Sequence, residues 1–147
     1  MFLHPNWNNE AYVSLHLVQK ILEEIGLPKK SDISHWYPQY SITIPTSNKK
    51  PKAVDFLIED YNRKISFLIE VKSANLKIDD TARFQLNMYL QYSKIKYGIL
   101  IDPFLVETYE FIKGRARLQD KFEIKEIIDV KPTAIFIKKF LDTIKRE

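Results

Sequence analysis

Apolar residues near the start of the chain recur with the period of a helix. Val13, Leu17, Val18, Ile21, Leu22 and Ile25 keep helical spacing, which predicts an amphipathic helix over about 9–25. Asn8 and Asn9 can cap its start, and Gly26 followed by Pro28 supplies its stop. Glu10 falls in the first turn, on or near the line of the apolar stripe.

The period then shortens. YPQYSITI (37–44) alternates as a strand ending at Pro45, and TSNKKPK (46–52) reads as a basic turn or loop. AVDFLI (53–58) and KISFLIEVK (64–72) are rich in branched and aromatic residues and are separated by EDYNR, which predicts a β-hairpin. Asp79 and Asp80 offer a cap to a second helix, TARFQLNMYLQYSKI (81–95). YGILID (97–102) follows as a buried strand, with Pro103 breaking it. ETYEFI (107–112) is a further candidate edge strand, and PTAIFIKKFLDTIKRE (132–147) a closing amphipathic helix. A helix between two strands of one sheet implies a crossover, so the expected fold is α/β, a mixed sheet of four to five strands flanked by helices in the order α-β-β-β-α-β.

The hairpin raises a question about charge. Glu70 and Lys72 stand in FLIEVK, one of the most apolar runs of the chain, and burying charges costs free energy unless they are paired or employed. A turn centred on Asn62 and Arg63 sets Asp55 opposite Glu70, with Cβ atoms about 5 Å apart, and Lys72 projects from the same face. The other face carries Val54, Phe56 and Ile58 against Ile65, Phe67, Ile69 and Val71, all apolar, and is assigned to the core. The charged face has Leu57 and Leu68 as neighbours.

Two carboxylates this close repel one another unless a proton or a cation lies between them, and a divalent metal resolves the conflict. The inference depends on register, because a bulge or one-residue slip sends Asp55 to the other face. The plainer alternative is a solvated cross-strand ion cluster worth under about 1 kcal/mol. The apolar character of the strand argues against it.

Composition narrows the chemistry. With 147 residues, 45% of them hydrophobic and 29% charged, the chain is expected to form one domain over 1–147 with a real core. It has no Cys, so disulfides and thiolate metal sites are excluded, and oxygen donors point to Mg²⁺ or Mn²⁺. His4, His16 and His35 are scattered without ligand spacing, and three Gly are too few for a glycine-rich phosphate loop. Trp7 and Trp36 are read as packed rather than base-contacting. No basic leader and no long apolar run is present, so a cytoplasmic protein without a membrane partner is expected. The net charge of +4 permits DNA as a partner without establishing it.

In the second helix Ala82, Leu86, Tyr89 and Leu90 form the sheet-packing face, and Gln85 lies four residues before Tyr89. An Asp on one strand, Glu-x-Lys on the next and Gln-x-x-x-Tyr on the following helix together resemble the PD-(D/E)XK nuclease superfamily. The residues that carry the likeness are Asp55 in VDF, Glu70 and Lys72 in EVK, and Gln85 with Tyr89 in QLNMY, within a stretch from about Glu10 to Asp102. Val54 stands where the family name records Pro. Their order and the early Glu10 look most like the nuclease domain at the amino end of type I restriction enzyme R subunits.

That resemblance implies a restriction-endonuclease-like core and a metal-dependent endonuclease cutting DNA. Asp55 and Glu70, with the Val71 backbone carbonyl, would ligate Mg²⁺, for which Mn²⁺ would substitute. Lys72 would orient the attacking water, and Gln85 and Tyr89 would position it or the phosphate. Glu10 is a candidate for a second metal or its water shell, and equally for a partner of the helix dipole. The partners implied are DNA and a second copy or larger restriction subunits. The alternatives are an inactive or partner-dependent DNA-binding module of the same fold, a Holliday junction resolvase-like enzyme and a homing nuclease. A third class is an interaction protein whose basic patches contact an acidic partner.

Overall fold

The computed structural model describes residues 3–45 and 52–144. Most of the basic segment TSNKKPK, residues 46–51, lies outside them, as does the end of the chain from 145 to 147.

The first helix, α1 (residues 10–24), has α-helical ends, Glu10–Val13 and Gln19–Glu24, joined by a wider π-type turn, Ser14–Val18. Asn9 caps it, its Oδ1 accepting from the Tyr12 N–H at 3.1 Å. Val13, Leu17, Val18, Ile21 and Leu22 are all buried, so the helical stripe expected from the sequence is the packing face.

Strands β1 (Ser34–Ile42), β2 (Lys52–Asp60) and β3 (Ile65–Val71) follow, then helix α2 (Asp80–Ser93), strands β4 (Tyr97–Ile101), β5 (Leu105–Ile112) and β6 (Arg115–Glu123), and helix α3 (Lys131–Thr143). They build one six-stranded sheet in sequence order, β1 to β6. Only β3 and β4 run parallel, as the α2 crossover between them requires. The sheet is therefore mixed and helix-flanked as expected, but it has more strands than the four to five read from the sequence.

The extra strand is β6, whose RARLQDKFE is mostly polar and exposed and gives no alternating signal. It is fixed by a two-residue turn, Lys113 and Gly114, both at positive φ, in which Ile112 pairs with Arg115. ETYEFI consequently lies inside the sheet, in β5 between β4 and β6, and not at its edge. β1 also starts earlier than YPQYSITI, because buried Ser34 and Trp36 already pair with Asp60 and Ile58. The Trp36 indole N–H donates to the Leu27 carbonyl at 3.0 Å, so this tryptophan is packed as expected.

The core lies on both faces of the sheet. α1 and α3 cover one face, where Leu17, Ile21, Ile137 and Leu141 meet Phe56, Ile58, Phe67 and Ile69. α2 covers the other, with Leu86, Tyr89 and Leu90 against Leu57, Leu68 and Leu100. Gly98 on β4 lets α2 approach closely, since a Cβ there would stand 3.0 Å from Leu86 Cδ1. Ala82, Leu86, Tyr89 and Leu90 are the buried residues of α2, the set the spacing predicts.

This two-sided burial corrects the sequence reading of the hairpin. The face that carries the charges was expected to lie outside the core, but Leu57 and Leu68 on it are core residues under α2. Val54 also leaves the Phe56 and Ile58 cluster and joins Leu57 and Leu68, so alternation in β2 breaks at Asp55. The hairpin register itself is the one the sequence predicts, from Asp60 with Ile65 to Phe56 with Ile69. Among the described residues no helix is long and apolar enough to cross a membrane.

Candidate active site

Beyond the Phe56 and Ile69 pair the β2–β3 ladder stops, one step short of Asp55 and Glu70. Two buried carboxylates at this point repel, and a continued ladder would hold them together. Their side chains take over the backbone bonding instead. The Asp55 N–H donates to Glu70 Oε1 at 3.2 Å, and the Val71 N–H donates to Asp55 Oδ2 at 2.7 Å. Val71 is fully buried, so without Asp55 its N–H would lose its partner at a cost of about 1–3 kcal/mol. In an extended strand the N–H and C=O of one residue point to the same edge, so the Val71 carbonyl also faces this fork.

The Lys72 N–H bonds to the Ile101 carbonyl at 2.8 Å, which locks the exit of β3 to β4. Its half-buried side chain lies close enough to Glu10 and Glu70 to favour the charged form of both. The Ala74 N–H donates to the Trp7 carbonyl at 2.8 Å, tying the segment before α1 to the chain just past Lys72. That tether brings Glu10 to the acidic pair.

The electrostatics are those of crowded acids. Burial and then Asp55 push the Glu70 carboxyl well above the ordinary carboxylate range, against the opposing pull of Lys72. Glu10 keeps an exposed surface, yet partial desolvation followed by Asp55 pushes it up to about 7. The buried Tyr89 hydroxyl donates to the Ala53 carbonyl at 3.4 Å and is held above the usual phenol range by burial, then by Glu70, Asp55 and Glu10. Tyr89 therefore shares one field with the three carboxylates.

Gln85, one turn earlier on α2, is half-buried, and no hydrogen bond ties it to the acidic pair among the described residues. The histidines have local roles. His4 Nδ1 accepts from the Asn6 N–H at 3.1 Å, while His16 packs on Tyr12 and His35 on Tyr37.

Gln39 is a residue that periodicity did not single out. Its Nε2 donates to Asp55 Oδ1 at 3.3 Å, and with Glu10, Pro38 and Asp55 it lines a cleft of about 450 Å³ between α1 and β1. The available signal was Pro38, which marks β1 as an irregular edge strand.

A larger cleft, about 710 Å³, lies by α2 and β5 and is lined by Lys77, Arg83, Asp102, Glu107 and Lys121. Its buried acids are already satisfied. Glu107 takes both Arg83 Nε and Nη2 at 2.9 Å and the Tyr109 hydroxyl at 2.8 Å, and Asp102 accepts from the Ile78, Phe104 and Leu105 N–H groups. Glu10 and Asp55, which crowd one another, line the smaller cleft.

Carboxylate and carbonyl oxygens are hard donors suited to Mg²⁺ or Mn²⁺. Among the described residues no group of three or more His, Cys, Asp or Glu side chains is arranged to hold a metal unaided. Mg²⁺ commonly takes only one or two carboxylates and completes its shell with water and substrate phosphate, which the Asp55 and Glu70 pair fits.

The family described as type I restriction enzyme R protein N terminus (HSDR_N) matches residues 9–130, from the cap of α1 to the start of α3. The chain belongs to that family. The likeness seen in VDF, EVK and QLNMY is thereby shown at the level of family, and this HSDR_N domain is a restriction-enzyme relative. The crystal structure of the type IIG restriction endonuclease BpuSI has the same fold, with a TM-score of 0.61 and 13% identity over 97% of this chain and 18% of that one. The HSDR_N chain thus spans under a fifth of the BpuSI chain. No curated protein matches it.

Proposed function

We propose that this HSDR_N domain is a metal-dependent endonuclease that hydrolyses DNA phosphodiester bonds in a restriction system. The observation that carries the reading is the reciprocal bonding of Asp55 and Glu70 at the open end of the hairpin, with Lys72 beside them. A surface ion cluster would be solvated, whereas these carboxylates are buried and mutually repelling.

Asp55, Glu70 and the Val71 carbonyl would hold Mg²⁺ or Mn²⁺. The bound ion supplies polarisation of the scissile phosphate and a lowered pKa for a coordinated water. Lys72 orients the attacking water and offsets charge gathering on the phosphate oxygens. Tyr89 and Gln85 position the phosphate, and Glu10 belongs to the surrounding water shell or a second metal. Without metal the same carboxylates repel DNA, so productive DNA binding and metal binding go together.

The reading predicts that purified protein nicks or cuts plasmid DNA with Mg²⁺ or Mn²⁺ and not in EDTA. Lys72→Ala and Glu70→Ala should each lose at least about 100-fold in rate while keeping a native circular dichroism spectrum. Undiminished cutting by Lys72→Ala would remove this mechanism. The 18% coverage of the BpuSI chain supports a second reading, in which this domain acts only with a second copy or larger restriction subunits. Wild-type protein that binds Mn²⁺ but leaves supercoiled, linear and branched DNA intact would favour it.

A further inference from the structure

We infer that Gln39 is a positioning residue for Asp55, a role that rests on the nuclease reading above. Gln39 adopts φ of 52°, a left-handed conformation that is strained for a residue with a side chain. The other described non-glycine residues at positive φ are Lys64, Lys94 and Lys113. They sit in the β2–β3 turn, at the end of α2 and in the β5–β6 turn, where chain reversal or helix termination uses that conformation. Gln39 stands inside a strand, with the β1–β2 pairing intact on both sides of it, Pro38 with Phe56 and Tyr40 with Val54.

β2 departs from alternation at the facing residue, Asp55. Two strands are thus distorted at one point, and the bond from Gln39 Nε2 to Asp55 Oδ1 joins them. Each oxygen of Asp55 then has one amide donor, Gln39 for Oδ1 and the Val71 N–H for Oδ2, with the Glu10 and Glu70 carboxyls also against it. The carboxylate is held in one orientation, with further lone pairs on both oxygens left for a cation. A neutral amide suits the task, because it orients the acid without cancelling the charge a cation needs.

Gln39→Gly separates the two things this residue does, since glycine accepts the backbone conformation and lacks the amide. The variant should melt no lower than wild type, while its affinity for Mn²⁺, measured by calorimetry, falls about 10-fold or more. In EDTA the Val71 amide should exchange with solvent about 10-fold faster, because its acceptor is no longer held. Gln39→Asn, one methylene shorter, should behave like the glycine variant in both measurements.

Unchanged Mn²⁺ affinity together with unchanged Val71 exchange would overturn the role and leave Gln39 a strained residue of β1. The exchange measurement needs neither metal nor DNA. If wild-type protein bound no Mn²⁺ the nuclease reading would fall, whereas the link from Gln39 to Asp55 would still be decided by Val71.

Discussion

The main-chain N–H of Asp55 donates to the side chain of Glu70, at 3.2 Å, just where the ladder between their strands ends. Side chain and backbone have exchanged partners at the mouth of the hairpin. The acids there do not merely decorate the sheet; they replace its hydrogen bonds. Structure and candidate chemistry therefore depend on the same atoms.

That dependence makes two substitutions of Asp55 diverge. Asp55→Asn keeps an oxygen that can accept from the Val71 N–H, so metal-free stability should change by less than about 1 kcal/mol. Asp55→Ala leaves that buried N–H unpaired and should cost about 1–3 kcal/mol in urea unfolding. Both should cut DNA at least about 100-fold more slowly than wild type. Equal stability of the two variants would show that the fork does not rely on Asp55.

Metal-free stability should depend on pH in a direction set by Glu70. Its carboxyl is raised from 4.5 to about 9 in the folded protein, chiefly by burial and then by Asp55. Between those values the folded state holds a proton that the unfolded chain has released, so stability should fall as pH rises through that window. Glu10, raised to about 7, adds to the fall over the lower part of the range. Urea unfolding in EDTA at several pH values should show the decline, and Glu70→Gln should flatten it. A wild-type profile that rises from pH 5 to pH 9 would contradict the acid crowding described above.

The corrected placement of Leu68 carries its own test. Its side chain is fully buried beneath α2. Leu68→Ala should therefore destabilise the protein by about 3 kcal/mol, read from chemical denaturation. A loss below about 0.5 kcal/mol would be the behaviour of a solvent-facing position.

The order of elements through β4, the hairpin register and the packing face of α2 were legible because each leaves a periodic trace. Hydrophobic spacing marks α1 and α2, and the turn at Asn62 and Arg63 fixes which β2 and β3 residues pair. The trio Asp55, Glu70 and Lys72 was legible for a related reason, since charges inside an apolar strand need an explanation. β6 was not, because its polar residues lie on an exposed outer strand and owe their conformation to pairing with β5.

The sequence by itself determined which residues carry charge into the sheet and which strands bring them together. Only the tertiary structure decided how those charges are accommodated. The packing of α2 turned the expected charged face into core, and the break in alternation at Asp55 sent Val54 there as well. Crowding at the fork ended the ladder before Asp55 and Glu70 could pair across it. Gln39 emerged only from the fold, since neither a left-handed backbone at a glutamine nor its approach to a residue on the neighbouring strand leaves a periodic trace. Periodicity reports a residue's burial, whereas the partners of a buried carboxylate are set by whichever donors the fold brings within reach.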